Sequence, residues 1–231
     1  MATIRALWDS KGALVDRDSE FFPLRNAVFD LPPYKGTWPQ IWIAAHGPRT
    51  LRAAGRYADG FFPAFAHTPR EYARRLDVVR SAASDAGRDP MAIVPAMWAM
   101  TLTGRSRAAV DEALESRTIR AGGLMAPDEF YAEHGATHPL GTGFAGAQDL
   151  LPHGWDQQTA IAHVDKVPVE VVRNSLLCGT PDEIVDQAAE WRDCGVRYLV
   201  IADITLMQRK FRKGLAGVAS SVKVVRGLKR L

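Results

Sequence analysis

The sequence predicts an α/β fold built on a parallel sheet, and three observations carry that prediction. Short, continuous apolar runs alternate with helix-periodic segments, the order that parallel strands and crossover helices produce. The run at 41–45, IWIAA, has no polar alternation, as expected of a strand covered on both faces. Two helical segments open on the same signal, Thr-Pro-x-Glu at 68–71 and again at 180–183. In that pattern the threonine hydroxyl caps a backbone N–H and the glutamate reaches back to the threonine N–H.

Taken in order, residues 3–9 carry Ile4, Leu7 and Trp8 at helical spacing. A Pro- and aromatic-rich linker without a sustained period follows, up to residue 40. After the strand at 41–45, Pro48 suits the first turn of a helix with Leu51, Gly55 and Ala58 on one side. A second strand covers about 60–65. Its helix carries Tyr72, Leu76, Val79, Ala83 and Ala86 as an apolar stripe and ends at Gly87. A third strand lies in the second part of 92–102, because Pro95 disfavours a central strand position. Ser106 is placed to cap the next helix, with Val110 and Leu114 inward. Residues 122–166, with seven Gly, three Pro and four His, form a long irregular excursion. Regularity returns with Ile184, Ala188 and Trp191 along a helix ended by Gly195, a fourth strand at 198–203, and a basic helical tail. The chain thus reads as one partial domain over 1–231: helix end and linker (1–40), βα units (41–121), excursion (122–166), closing βα unit and tail (167–231).

Composition narrows the class. With 231 residues, 47% hydrophobic and 24% charged, the chain is neither disordered nor collagen-like nor a disulfide scaffold. Two cysteines, Cys178 and Cys194, without a CxxC pattern suit a reducing cytosol, and no apolar run reaches the roughly 18 residues of a membrane span. The net charge of +3 is uneven. Eight of the 29 Lys/Arg lie in 209–231 with no acid among them, leaving 21 against 26 Asp/Glu elsewhere. The tail holds a single aromatic, Phe211, so a nucleic-acid role is not expected; a solvated helical face or an anionic partner such as a lipid surface is.

The strongest local chemical signal is Ala44-Ala45-His46-Gly47-Pro48, where a buried strand passes directly into a helix. Free N–H groups and the helix dipole make such a turn an anion site, and on a parallel sheet it lies at the ligand-binding edge. An empty, tight βα turn is the competing reading, with His46 either donating to a phosphate or packing on the loop. Gly141-x-Gly143-x-x-Gly146 has the dinucleotide spacing without the strand and helix it requires. His134 and His138 have i, i+4 spacing but no third ligand, so no metal is expected. Asp203 ends a strand where barrel enzymes place working residues, with capping of the next loop as the plain alternative. Trp42 and Trp98 read as core, and Asp59 as the closure of a helix and turn.

Two blocks, IWIAAHGPRTLRAAGRYADGFF (41–62) and CGTPDEIVDQAAEWRDCGVRYLVI (178–201), resemble the luciferase-like oxidoreductase family. Segments 4–12, 21–42, 79–91 and 133–152 are similar to a ketoreductase branch of mycobacterial envelope-lipid synthesis. The resemblance implies a (β/α)₈ barrel fold, of which this chain is expected to be the C-terminal half, with about four parallel strands and the excursion as an insertion. It implies the deazaflavin coenzyme F420, with FMN as the alternative, and reduction of a keto group on a long-chain lipid. Ala45, His46, Gly47 and Pro48 match the turn that holds the cofactor phosphate; no catalytic residue carries over. A cytoplasmic enzyme is expected, with peripheral contact to lipid and either self-association or pairing with the missing half. Beside it stand an FMN-dependent monooxygenase of the same fold and an inactive half-barrel pairing module.

Overall fold

A computed structural model of the protein describes residues 1–64, 67–208 and 211–231, the side chains of 211–213 excepted. Arg209 and Lys210 of the basic tail, and the side chains of Arg212 and Lys213, lie outside the described residues. Contacts divide the chain into two compact units, Met1–Phe61 with Val78–Val94, and Phe62–Asp77 with Pro95–Leu231.

The first unit opens with helix α1 (Ala2–Asp9) and an antiparallel pair, β1 (Val15–Arg17) and β2 (Leu24–Ala27). That pair lies inside the expected linker. Trp38 stacks on Trp8 with centroids 5.1 Å apart, tying the linker to α1. Strand β3 (Trp42–Ile43) pairs in parallel with β4 (Gly60–Phe61), and α2 (Pro48–Tyr57) crosses between them. Helix α2 buries Leu51, Ala54 and Gly55. A Cβ on Gly55 would stand 2.3 Å from the Val79 carbonyl oxygen, so this contact requires glycine. Val79 belongs to α3 (Pro69–Asp85), whose residues 78–85 lie in this unit. Its stripe runs through Val79, Ala82 and Ala83; Ala86, expected inward, is exposed beyond the helix end, where Gly87 takes φ +70°.

Asp59 does more than close a helix. One carboxylate oxygen accepts the Ile41 N–H at 2.8 Å, and the other meets Arg5 at 3.3 Å and Arg88 at 3.7 Å. The same arginines donate to the carbonyls ending α2: Arg88 to Gly55 and Ala58, Arg5 to Tyr57. The Asp59 backbone meanwhile donates to Ile41 and accepts from Val94. One residue therefore joins the start of β3, the end of α2 and the entry to the next strand.

The second unit is organised on β5 (Val94–Thr103), from Pro95 onward. Strand β6 (Leu177–Gly179) joins it in parallel at Thr101–Thr103, and β7 (Tyr198–Asp203) joins in parallel along Ala96–Thr101. Pro95 falls inside β5, contrary to expectation. It sits at the strand's second residue, where its carbonyl accepts the Arg197 N–H and its missing donor costs nothing. Strand β6 was not expected. Ser106 caps α4 (Arg107–Leu114) by accepting the Ala109 N–H, with Val110 and Leu114 buried. The second capping box holds at α9 (Pro181–Asp193): the Thr180 N–H donates to Glu183 at 2.8 Å. That bond and the Arg107 ion pair hold the Glu183 carboxyl below its usual range.

The excursion (122–166) holds α6 (Asp128–Glu133) and α7 (Gln157–Asp165) and is flanked by α5 (Arg117–Arg120) and α8 (Val169–Asn174). Phe130, Tyr131, Val167, Val171 and Val172 share a core cluster with Leu102, Val110 and Leu114. Gly141, Gly143 and Gly146 all take positive φ in a loop with no strand before it, so they make a turn and no dinucleotide site. His138 is buried between Phe144, stacked at 4.4 Å, and Tyr131, edge-on at 4.5 Å. Its Nδ1 accepts the Leu140 N–H, and its Nε2 has no hydrogen-bond partner among the described residues. Burial pushes the imidazole below its ordinary pKa of 6.5, with the nearby Leu124 backbone and Asp128 opposing the depression and His163 adding to it. The chain closes with α10 (Phe211–Leu228) against α9 and the turn at Thr205–Met207.

Two stability predictions follow from these environments. Asp59→Ala strands the Ile41 N–H and frees two arginines, and should lower stability by about 1–3 kcal/mol in chemical denaturation. Asp59→Asn keeps an acceptor and should cost less; equal losses would show that charge, not the Ile41 bond, carries the effect. The folded His138 imidazole takes up a proton less readily than the unfolded one. Its contribution is therefore present above pH 6.5 and lost as the pH falls below it. Between pH 7 and 5, Tm should fall further in the wild type than in His138→Phe. Parallel Tm profiles would contradict this.

Candidate functional site

The predicted anion turn lies in the first unit. Ala45 is fully buried at the end of the β3 run, His46 is half-buried, and Gly47 is the exposed N-cap of α2 with Pro48 at its first position. Pro48 supplies no N–H. Those of Arg49 and Thr50 have no partner among the described residues, and no side chain caps the helix. Thr50 turns its hydroxyl away to the Gly47 carbonyl at 2.9 Å. The space outside the turn is open: a Cβ on Gly47 would meet only the Thr50 hydroxyl, at 3.9 Å. Arg49, Arg52 and Arg56 are exposed along α2, which carries no acid. Uncapped N–H groups, the positive helix end and a flanking arginine together suit a phosphate. Ala45, His46, Gly47 and Pro48, singled out in the sequence, form the turn that leads into α2.

The second unit holds a feature that no sequence pattern marks. A cavity of about 350 Å³ is lined by Met97, Trp98 and Met100 of β5, Phe130 and His134 of the excursion, Leu176, and Leu177 at the start of β6. His67 and Trp191 close it, edge to face with centroids 5.2 Å apart. Trp98, read as core, is a partly exposed wall of this cavity. Cys178 reaches the same wall, but burial pushes its thiol up to about 12, and Gln187 clamps its backbone at 3.0 and 2.9 Å. It is a structural thiol and not a nucleophile. No short motif announces the cavity, because its walls come from five separated segments.

The remaining candidates have structural roles. Asp203 accepts the Thr205 N–H at 2.9 Å and caps the turn after β7. His134 ends α6 with its Nδ1 2.8 Å from the Phe130 carbonyl, while His138 is enclosed by aromatics. Among the described residues no group of three or more His, Cys, Asp or Glu is arranged to hold a metal. No helix among them is long and apolar enough to cross a membrane.

Comparison with known proteins places these features in context. The chain is 63% identical over all 231 residues to a phthiodiolone/phenolphthiodiolone dimycocerosates ketoreductase of Mycobacterium sp. (strain JLS), and 52% identical to that of Mycobacterium bovis (strain BCG / Pasteur 1173P2). It covers 60% and 61% of those proteins, so it spans about three-fifths of the length of the relatives it matches. Among solved structures it resembles the coenzyme F420-dependent tetrahydromethanopterin reductase of Methanopyrus kandleri, with a TM-score of 0.71 at 16% identity over 98% of this chain and 62% of that one. An F420-dependent secondary alcohol dehydrogenase with a bound F420-acetone adduct gives 0.67 at 17% identity, over 96% of this chain and 59% of that one. These likenesses show the (β/α)₈ barrel fold; the parallel strands described in this chain do not close a barrel. The profile of the luciferase-like monooxygenases matches residues 1–198, and the chain belongs to that family of oxidoreductases.

Proposed function

We propose that the protein is the closing portion of an F420-dependent ketoreductase acting on a long-chain, phthiodiolone-type lipid ketone. The observation that carries this reading is the uncapped turn from β3 into α2, within a chain that matches such ketoreductases over its whole length. The backbone N–H groups of Arg49 and Thr50, with His46 beside them, would hold the cofactor phosphate, and Gly47 leaves room for it to approach. Bound deazaflavin supplies a hydride. The chain's own work is to fix the phosphate with rigid backbone donors, which orients the cofactor without placing a mobile side chain at the helix end. The largely apolar cavity between Met97–Met100, Phe130 and Leu176–Leu177 suits the alkyl part of a lipid ketone, with His67 and His134 as its polar edge. Peripheral contact with lipid and a cytoplasmic location accord with this reading.

Fluorescence titration of the protein with F420 and with FMN tests it. F420 should bind and FMN should not; tight FMN binding without F420 binding would favour a monooxygenase instead. Gly47→Asp gives a sharper test. Gly47 lies in ordinary extended backbone (φ −80°, ψ 160°) with open space at its Cβ, so the substitution fits. An N-cap aspartate should raise Tm slightly while filling the donors meant for phosphate and repelling it. F420 affinity should fall about 10-fold or more, equivalent to at least ~1.4 kcal/mol. Unchanged F420 affinity in a variant of raised Tm would remove the turn from the cofactor site.

A further inference from the structure

The antiparallel pair β1–β2 is joined by a tip, residues 18–23, of sequence DSEFFP. Its base is fixed, because Trp8 and Phe29 pack on Trp38 with centroids 5.1 and 5.7 Å away. Its polar side chains bond within the hairpin. Asp18 pairs with Arg25, which also donates to the Arg17 and Leu24 carbonyls. Asp16 accepts the Asn26 N–H at 2.9 Å, and the Ser19 hydroxyl accepts that of Phe22 at 3.3 Å. The rings of Phe21 and Phe22 take no part in these bonds and stand 76% and 71% exposed. Apolar side chains on a soluble surface are normally scattered singly, so adjacent phenylalanines left this open call for a partner. Beyond β2 the chain also exposes Leu31 and Tyr34, with the Lys35 ammonium 5.3 Å from the Tyr34 ring centre. Residues 11–35 carry four Lys/Arg and four Asp/Glu, so the segment has no net charge.

We propose that the Phe21–Phe22 tip is a lipid-surface contact, whose two rings enter the boundary between the headgroups and acyl chains of a zwitterionic bilayer. Three observations favour that occupant. The ionic groups best placed to specify a protein partner, Asp18 and Arg25, are already used on each other, and a bilayer asks for no matching hydrogen bonds. Tyr34 and Lys35 form an amphipathic pair of the kind that settles at headgroup level. The balanced charge of 11–35 offers no net attraction to anionic lipid, so the contact is apolar in origin. Insertion is shallow, since Glu20 and the outer backbone edges of this two-stranded pair must stay hydrated. The contact deepens the ketoreductase reading and rests on it in one respect, that a long-chain ketone is itself held in a lipid phase.

Flotation of the full 231-residue chain with phosphatidylcholine vesicles tests this. The protein should float with the vesicles and stay bound in about 0.5 M NaCl, which screens charge. Phe21→Ser with Phe22→Ser should lower partitioning about 10-fold or more. Phe21→Trp with Phe22→Trp should keep it. Both positions are exposed, so neither double variant should change Tm. F420 affinity should also be unchanged by them, which separates failure of this contact from failure of the cofactor reading. Equal partitioning of the wild type and the serine variant, or a wild type that does not float, would overturn the proposal. So would binding confined to phosphatidylglycerol vesicles and released by salt, the behaviour of the basic tail. A dimer of the chain that the serine variant splits would overturn it too, by making the tip a protein interface.

Discussion

The parallel pairing of β7 with β5 is the interaction on which the second unit depends. It runs over six residues, from Ala96 opposite Tyr198 to Thr101 opposite Asp203. It fixes where α9 ends, because Val196 and Arg197 must turn directly into the strand. It also fixes where the turn at Thr205–Met207 begins, because Ile204 still donates to Thr101. The Thr205 hydroxyl then accepts the buried Thr103 N–H at 3.1 Å, and the glycine-lined face of α10 packs on that turn. A parallel strand bonded on one edge leaves half its backbone groups to water, which antiparallel sheets manage more readily than parallel ones.

The first unit answers a different constraint: a tight βα turn must stay uncapped and still be rigid. Its rigidity comes from below, where Asp59, Arg5 and Arg88 tie the end of α2 to the start of β3. Arginines satisfy carbonyls at the C-terminus of α2, while at its other end no side chain caps the N–H groups. Gly47 is an indifferent N-cap, and an aspartate or serine in its place would close those N–H groups.

Much of this was legible in the sequence, for identifiable reasons. Capping at Ser106 and Thr180 and the apolar stripes of α2, α3 and α9 are local signals, readable within one or two helical turns. The turn at Ala45–Pro48 is likewise local, although its binding role rests on resemblance and on chemistry. What escaped was set by distant neighbours. Strands β1 and β6 hold three residues each, too few to show a period. Trp98 has the composition of core and the position of a cavity wall, because the excursion and α8 reach it from far along the chain. The basic tail was read through its charges, and its buried side, Gly214, Gly217, Ser220 and Val224, shows only in the fold.

The central claim is that the second unit depends on the pairing of β7 with β5, and amide hydrogen exchange measures it most directly. Strand β5, paired along much of both edges, should exchange at the rate of global unfolding. In β7 the amides of Val200 and Ala202 lie between those directed at β5, and they should exchange faster than their β5 counterparts by at least about 100-fold, through local opening or direct solvent contact. Protection of Val200 and Ala202 equal to that of Ala99 and Thr101 would contradict the account, since it would show that pairing with β5 does not decide which β7 amides are protected.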